Sequence, residues 1–213
     1  MLRRSIIVGS LANAAIAMLP TSVGAAPEQL LLPSNLVADV SNLNGRIRLG
    51  NSQADVTLIE FFDYNCPYCR NSARDFLQLV KTDKDLGYIL INYAVLSEAS
   101  ILAAKVALAF SMQKAELYAS FHQRLFERKG VIGGDHAIDV AANLGADKVR
   151  LIKDADSDTV TKALIASAKL GENLGFIATP SYIIGNTGVQ GYASLADKKR
   201  FISNMRACEK TVC

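Results

Sequence analysis

Val56-Thr57-Leu58-Ile59-Glu60-Phe61-Phe62-Asp63-Tyr64-Asn65-Cys66-Pro67-Tyr68-Cys69 is the stretch on which the fold turns. Its first half is continuously apolar and rich in β-branched and aromatic residues, broken only by Glu60. That is the pattern of a strand covered on both faces and central in a sheet. From Cys69 onward Ala73, Phe76, Leu77 and Val80 recur at helical spacing, which predicts a helix that begins close to Pro67 and runs to about Lys84. Proline suits the first turn of a helix, where the missing N–H has no intrahelical partner in any case. Tyr88 to Leu96 is a second β-rich run. The three elements form a strand, helix, strand unit, whose crossover favours parallel pairing of the two strands.

Upstream, Arg46-Ile47-Arg48-Leu49 alternates as a half-buried strand does, and Gly50-Asn51 closes it as a turn. Residues 27–45 read as an N-terminal arm with one apolar cluster, Leu30-Leu31-Leu32, and a helical turn or two around Leu36 to Leu43. Such an arm packs on its own domain or serves as a small oligomerisation element. Downstream, residues 98–175 are Ala-rich and amphipathic, with Leu117, Tyr118, Phe121 and Leu125 at helical spacing. Gly130, Gly133-Gly134, Gly145 and Gly171 divide this block into four or five helices. Ser181 to Ile184 and Gly188 to Tyr192 are two short strands joined across Gly185-Asn186, a strong hairpin signal, and a helix follows from about Leu195 to Cys208. The order β-α-β, helices, β-β-α defines an α/β chain. The length suits one domain, or one domain with a large insertion, in which the stretches 46–97 and 176–213 flank the helical block at 98–175.

Residues 1–26 read as an address. Leu2-Arg3-Arg4, an apolar stretch from Ile6 to Leu19 and the small residues up to Ala26 are the parts of a cleaved signal peptide, with an apolar core too short to span a membrane. Removing them takes Arg3 and Arg4 but no acid, so the formal charge falls from +3 to +1. A nearly neutral chain argues against nucleic acid as a partner, because binding a phosphate backbone needs clustered cations. About 187 residues, half of the whole chain being hydrophobic, suffice to bury a core without covalent staples, which leaves the four cysteines available for chemistry. An exported destination, outside the reducing cytosol, is also where disulfides form and persist.

Cys66-Pro67-Tyr68-Cys69 follows a buried strand and opens a helix, the setting in which C-x-x-C becomes a redox motif. Residues three apart in a helix have Cα atoms about 5 Å apart, within the span a disulfide tolerates. The helix start favours an anion by roughly 0.3–2 kcal/mol, enough to lower a thiol pKa by roughly 0.2–1.5 units. Cys66 is therefore the expected nucleophile and Cys69, one turn inside, the residue that resolves a mixed disulfide. Stabilising the thiolate stabilises the dithiol and makes the disulfide a better oxidant. Glu60 shares a strand face with Leu58 and Phe62, and a buried carboxylate there is suited to exchanging protons with the inner thiol. The alternative is a strand-end acid held by a cation.

Glu60 to Cys69 resembles the active-site strand and helix of DsbA-family thiol:disulfide oxidoreductases. The resemblance covers the chain from about residue 46 and implies a thioredoxin-like fold with an inserted α-helical domain. It further implies that Thr179-Pro180 is the family's cis-proline loop, facing Cys66 and offering Thr179 to an extended substrate, with Pro67 and Tyr68 at the same surface. Two features divide the subtypes: Pro67-Tyr68 stands where strongly oxidising members carry Pro-His, and Thr before the proline is more like isomerases of the DsbC and DsbG type. Those isomerases have a sizeable N-terminal dimerisation domain that the short arm does not supply. The expectation is thus a periplasmic enzyme that introduces disulfides into reduced or unfolded exported proteins, reoxidised by a DsbB-like membrane partner, as a monomer or as a small homo-oligomer through the arm. An isomerase or reductase is the alternative. No nicotinamide or flavin motif is present, and the chemistry requires no cofactor.

Cys208 and Cys213 would lie about 8.7 Å apart in a continuous helix, too far to bond. The helix must end between them if they form a local structural disulfide. Free thiols or a bond to another chain are the other possibilities. Four cysteines also raise a thiolate metal site, which the irregular second spacing and the activated position of Cys66 disfavour. His122 and His136 form no helical ligand pair and are expected at the surface or at helix caps.

Overall fold

In a computed structural model the protein is described over residues 27–213, so the signal-peptide reading of residues 1–26 lies outside the described residues. The strands are β1 (Glu28–Leu31), β2 (Ile47–Gly50), β3 (Val56–Phe62), β4 (Leu86–Asn92), β5 (Ser181–Ile184) and β6 (Thr187–Gln190). They form one sheet in the order β1-β6-β5-β3-β4-β2, in which β3 and β4 pair in parallel and every other pair is antiparallel. The helices are α1 (Ser34–Asn42), α2 (Pro67–Thr82), α3 (Glu98–Gln113), α4 (Tyr118–Phe126), α5 (Gly134–Asn143), α6 (Lys148–Ala155), α7 (Asp158–Asn173) and α8 (Leu195–Cys208). Among them none is long and apolar enough to cross a membrane.

β3 is interior and covered on both faces, as its unbroken apolar run requires. Leu58 and Phe62 join the larger core with α2 and the helical block, whereas Ile59 and Phe61 join a second core with residues of α1 and α7. Burying Phe61 and Phe62 alone stabilises by roughly 1.5–3 kcal/mol each. The α7 layer sits close: a Cβ on Gly171 would come within 2.5 Å of the Tyr93 ring. That ring cannot easily retreat, because its hydroxyl donates to Phe176 O at 2.9 Å.

Three local readings change. The arm contributes β1, an edge strand paired with β6, and Leu32, Val40 and Leu43 are buried on the chain's own second core. Glu28-Gln29-Leu30-Leu31 carries no alternation to announce a strand, and Leu31 is 88% exposed; the register comes from the partner. β4 ends at Asn92 rather than Leu96, because the amides of Val95 and Leu96 turn to a side chain, Asp63, instead of a neighbouring strand. His122 is not at the surface: it is 1% exposed on the inner face of α4, beside Tyr118, Phe121 and Leu125. Its Nδ1 lies 3.3 Å from the Tyr64 hydroxyl and its ring meets Phe62 and Phe126 edge-on. His136 does sit at a helix start, where Nδ1 accepts from Gly133 N–H at 3.5 Å.

Burial holds the His122 pKa down at about 3. The unfolded chain binds that proton below about pH 6.5 and the folded chain only near pH 3, so folding stability falls as pH drops through this window. His122→Phe is expected to recover about 2–3 kcal/mol of the loss between pH 6.5 and 4.5, read from urea midpoints; curves parallel to the parent's would contradict this. Gly171→Ala is expected to lower stability by about 1–3 kcal/mol despite its better helix propensity, through overpacking against Tyr93.

Candidate active site

Cys66 is the N-cap of α2, with extended backbone at φ −82 and ψ 120, and Pro67 opens the helix behind it. The geometry delivers the end of the helix to the sulfur: the Cys69 N–H donates to Cys66 Sγ at 3.4 Å. From the other side the Thr179 carbonyl accepts from the Cys66 thiol at 3.0 Å, and the Thr179-Pro180 peptide is cis. The loop preceding β5 therefore lies against the start of α2. Both cysteines are free thiols.

The two thiols are electrostatically unlike. The Cys66 pKa is lowered to about 6, first by a hydrogen bond from the Cys69 thiol, then by the Thr179 side chain and the Cys69 and Tyr68 amides, against an opposing contribution from burial. Cys69 is pushed well above the ordinary thiol value by burial, then by its hydrogen bond to Cys66 and by the charges of Glu60 and Cys66. One sulfur is thus prepared as an anion near neutral pH and its neighbour held protonated. Cys66 is only 4% exposed, while Tyr68 beside it is 59% exposed and stacks on Tyr192.

Glu60 is buried on the face of β3 that carries Leu58 and Phe62, near enough for its charge to act on Cys69, and Tyr88 Oη donates to it at 2.5 Å. Burial raises its pKa, opposed by Lys198, Tyr88 and Ser72. Cys208 and Cys213 are bonded to each other with Cα atoms 6.2 Å apart. α8 ends at Cys208 and Glu209 turns left-handed at φ 58, which brings the tail back. Among the described residues no three His, Cys, Asp or Glu side chains are grouped to hold a metal.

Three residues of the catalytic segment that carried no role in the sequence reading tie it to the helical block. Asp63 accepts four hydrogen bonds: Oδ1 from Asn65 N–H and Ser100 Oγ, and Oδ2 from Val95 and Leu96 N–H, all between 2.6 and 3.0 Å. Asn65 pairs with both the N–H and the carbonyl of Ile132. Arg70 donates to the carbonyls of Phe126 and Arg128. A signal for Asp63 was present: an acid directly after a strand buried on both faces is itself buried and needs partners. Lys198 was legible too, since Leu195, Lys198, Phe201 and Ile202 follow the inward period of α8.

A family model described as thioredoxin matches residues 42–204. A thioredoxin-like oxidoreductase from Silicibacter pomeroyi DSS-3 superposes with a TM-score of 0.73 at 32% identity, over 78% of this chain and 95% of that one. The thiol-disulfide exchange protein alpha-DsbA2 from Wolbachia pipientis gives 0.72 at 26% identity, over 81% and 91%. Disulfide bond formation protein D of Bacillus subtilis (strain 168) is 23% identical over 184 residues, 79% of this chain and 81% of its own length. With a buried strand feeding a C-x-x-C at a helix N-cap, and with these relatives, the chain belongs to the thioredoxin family as a DsbA-like thiol:disulfide oxidoreductase.

Proposed function

We propose that the chain is a periplasmic disulfide donor: the Cys66-Cys69 disulfide oxidises reduced exported proteins, and a DsbB-like membrane partner restores it. The observation that carries this reading is the seat of Cys66 Sγ at the N-cap of α2, where the Cys69 N–H reaches it at 3.4 Å and its pKa is held below the ordinary thiol value. A substrate thiolate attacks Cys66 Sγ, a new S–S bond forms there, and Cys69 leaves with the electron pair of the broken bond. The substrate's second thiolate then attacks its own sulfur in the mixed disulfide and releases Cys66 as a thiolate. Every contact that stabilises that anion favours release and hence oxidation of the substrate. At pH 7 a pKa of about 6 stabilises the dithiol about tenfold relative to an ordinary thiol, about 30 mV in the oxidising direction.

Thr179, Pro180, Pro67 and Tyr68 form the proposed substrate face around the sulfur, and Glu60 is the proposed proton partner of Cys69. The Cys208-Cys213 bond pins the end of α8 and takes no part in turnover. The arm favours a monomeric oxidase over an arm-assembled isomerase, since Leu32, Val40 and Leu43 already pack on the chain's own core.

The test compares reduced with scrambled ribonuclease and equilibrates the protein with glutathione. The expected outcome is rapid oxidation, little unscrambling, and a potential more oxidising than thioredoxin's roughly −270 mV. Cys66→Ser is expected to abolish exchange, and Cys69→Ser to trap the mixed disulfide. Efficient unscrambling would replace this reading with an isomerase, and a potential at or below thioredoxin's with a reductase.

A further inference from the structure

Lysine is almost never fully buried unless paired, and Lys198 is fully buried on α8. Its Nζ donates to Ser72 Oγ at 2.9 Å and to Asp75 Oδ2 at 3.0 Å, and lies 5.0 and 5.3 Å from the ring centres of Tyr182 and Tyr192. Cys69, Ser72 and Asp75 stand three residues apart on one face of α2, so the ammonium is aligned along the same helix that carries the inner thiol. Ser72 Oγ also meets Tyr182 Oη at 3.0 Å, and Tyr192 Oη donates to Asp75 at 2.9 Å. The Tyr192 ring stacks on the exposed Tyr68. The polar chain thus starts at the floor of the active site and surfaces at its rim.

The charged and titratable groups around Lys198 are Glu60 from β3, with Tyr88 from β4 bonded to it, Cys69 and Asp75 from α2, Tyr182 from β5, and Tyr192 after β6. On α8 itself, Asp197 and Arg200 pair with each other near the surface. Two acids therefore share one buried cation, and one of those acids is the proposed proton partner of Cys69.

We propose that Lys198 is the positioning residue that sets the proton balance of Glu60 and Cys69 during exchange, and that Asp75 and Tyr192 carry its hydrogen-bonded chain to solvent beside Tyr68. This rests on the assignment of Glu60 to Cys69 made above. When a thiolate opens the disulfide at Cys66, Cys69 departs as a buried anion and takes a proton from Glu60. The carboxylate so formed is held by the Lys198 ammonium until water returns a proton through Tyr192, Asp75, Lys198 and Ser72. In the reverse direction the same proton leaves before Cys69 attacks. No redox partner beyond the thiol and the disulfide is required.

The experiment follows, from pH 5 to 9, the rate at which Cys69 displaces glutathione from a mixed disulfide on Cys66. Lys198→Met, close in size and uncharged, is expected to slow this step about tenfold at pH 7 and move its midpoint up by about one unit. Asp75→Asn removes the competing anion and is expected to move the midpoint down. Alkylation of Cys66 should stay within about twofold of the parent in both, because its thiolate takes its stabilisation from the Cys69 thiol, the Thr179 side chain and the first amides of α2, none of which is replaced. A purely structural lysine would lower stability without opposite shifts of the profile. Midpoints unmoved in both variants overturn the proposal, and Asp75→Asn alone decides it should Lys198→Met fail to fold. Glu60→Gln separates the two levels: if it alters the profile while the other two do not, only the Lys198 role falls, and if it alters nothing, the Glu60 assignment falls with it.

Discussion

One contact organises this molecule: the sulfur of Cys66 seated at the N-cap of α2, where the Cys69 amide reaches it. An anion at that position satisfies N–H groups that no helical carbonyl can reach. The fold's other choices serve that seat. β3 must be buried on both faces so that its end is rigid, and Pro67 must start the helix without delay. The loop at Thr179-Pro180, which leads into the neighbouring strand β5, must come against the sulfur.

The helical block between β4 and β5 acts on the same seat through backbone rather than through side chains at the sulfur. Asp63, Asn65 and Arg70 each fasten the catalytic segment to carbonyls or amides of that block. Asp63 matters most, since a buried carboxylate left without its donors costs several kcal/mol. The loops so fastened expose Val95, Leu96 and Val131, apolar residues on the segments bonded to Asp63 and Asn65. The block thus shapes the surface beside the start of α2, where both thiols of the C-x-x-C lie.

Much of this was legible in sequence because the decisive signals are local. A continuous apolar run, a proline after a cysteine and a glycine-asparagine hairpin each follow from short-range sterics, and the parallel β3-β4 pair and the β5-β6 hairpin follow from their succession. What escaped was set by distant partners. β1 is a strand only because β6 lends it a register, and β4 stops at Asn92 only because Asp63, some thirty residues earlier, takes the next amides. The polarity of His122 suggests the surface and masks its inward place in the period of α4. Lys198 escaped for the same reason, as its charge masked the inward phase of α8.

The central claim is that helix α2 and its surroundings keep Cys66 ionised near neutral pH while Cys69 stays a thiol. Its most direct measure is the thiolate absorbance near 240 nm of the reduced protein, titrated against the Cys66→Ser variant. The account predicts one transition centred at about 6, lost in the variant, with no second thiolate until strongly alkaline pH. A first transition at the ordinary thiol value of roughly 8.5, or one that survives removal of Cys66, would contradict it.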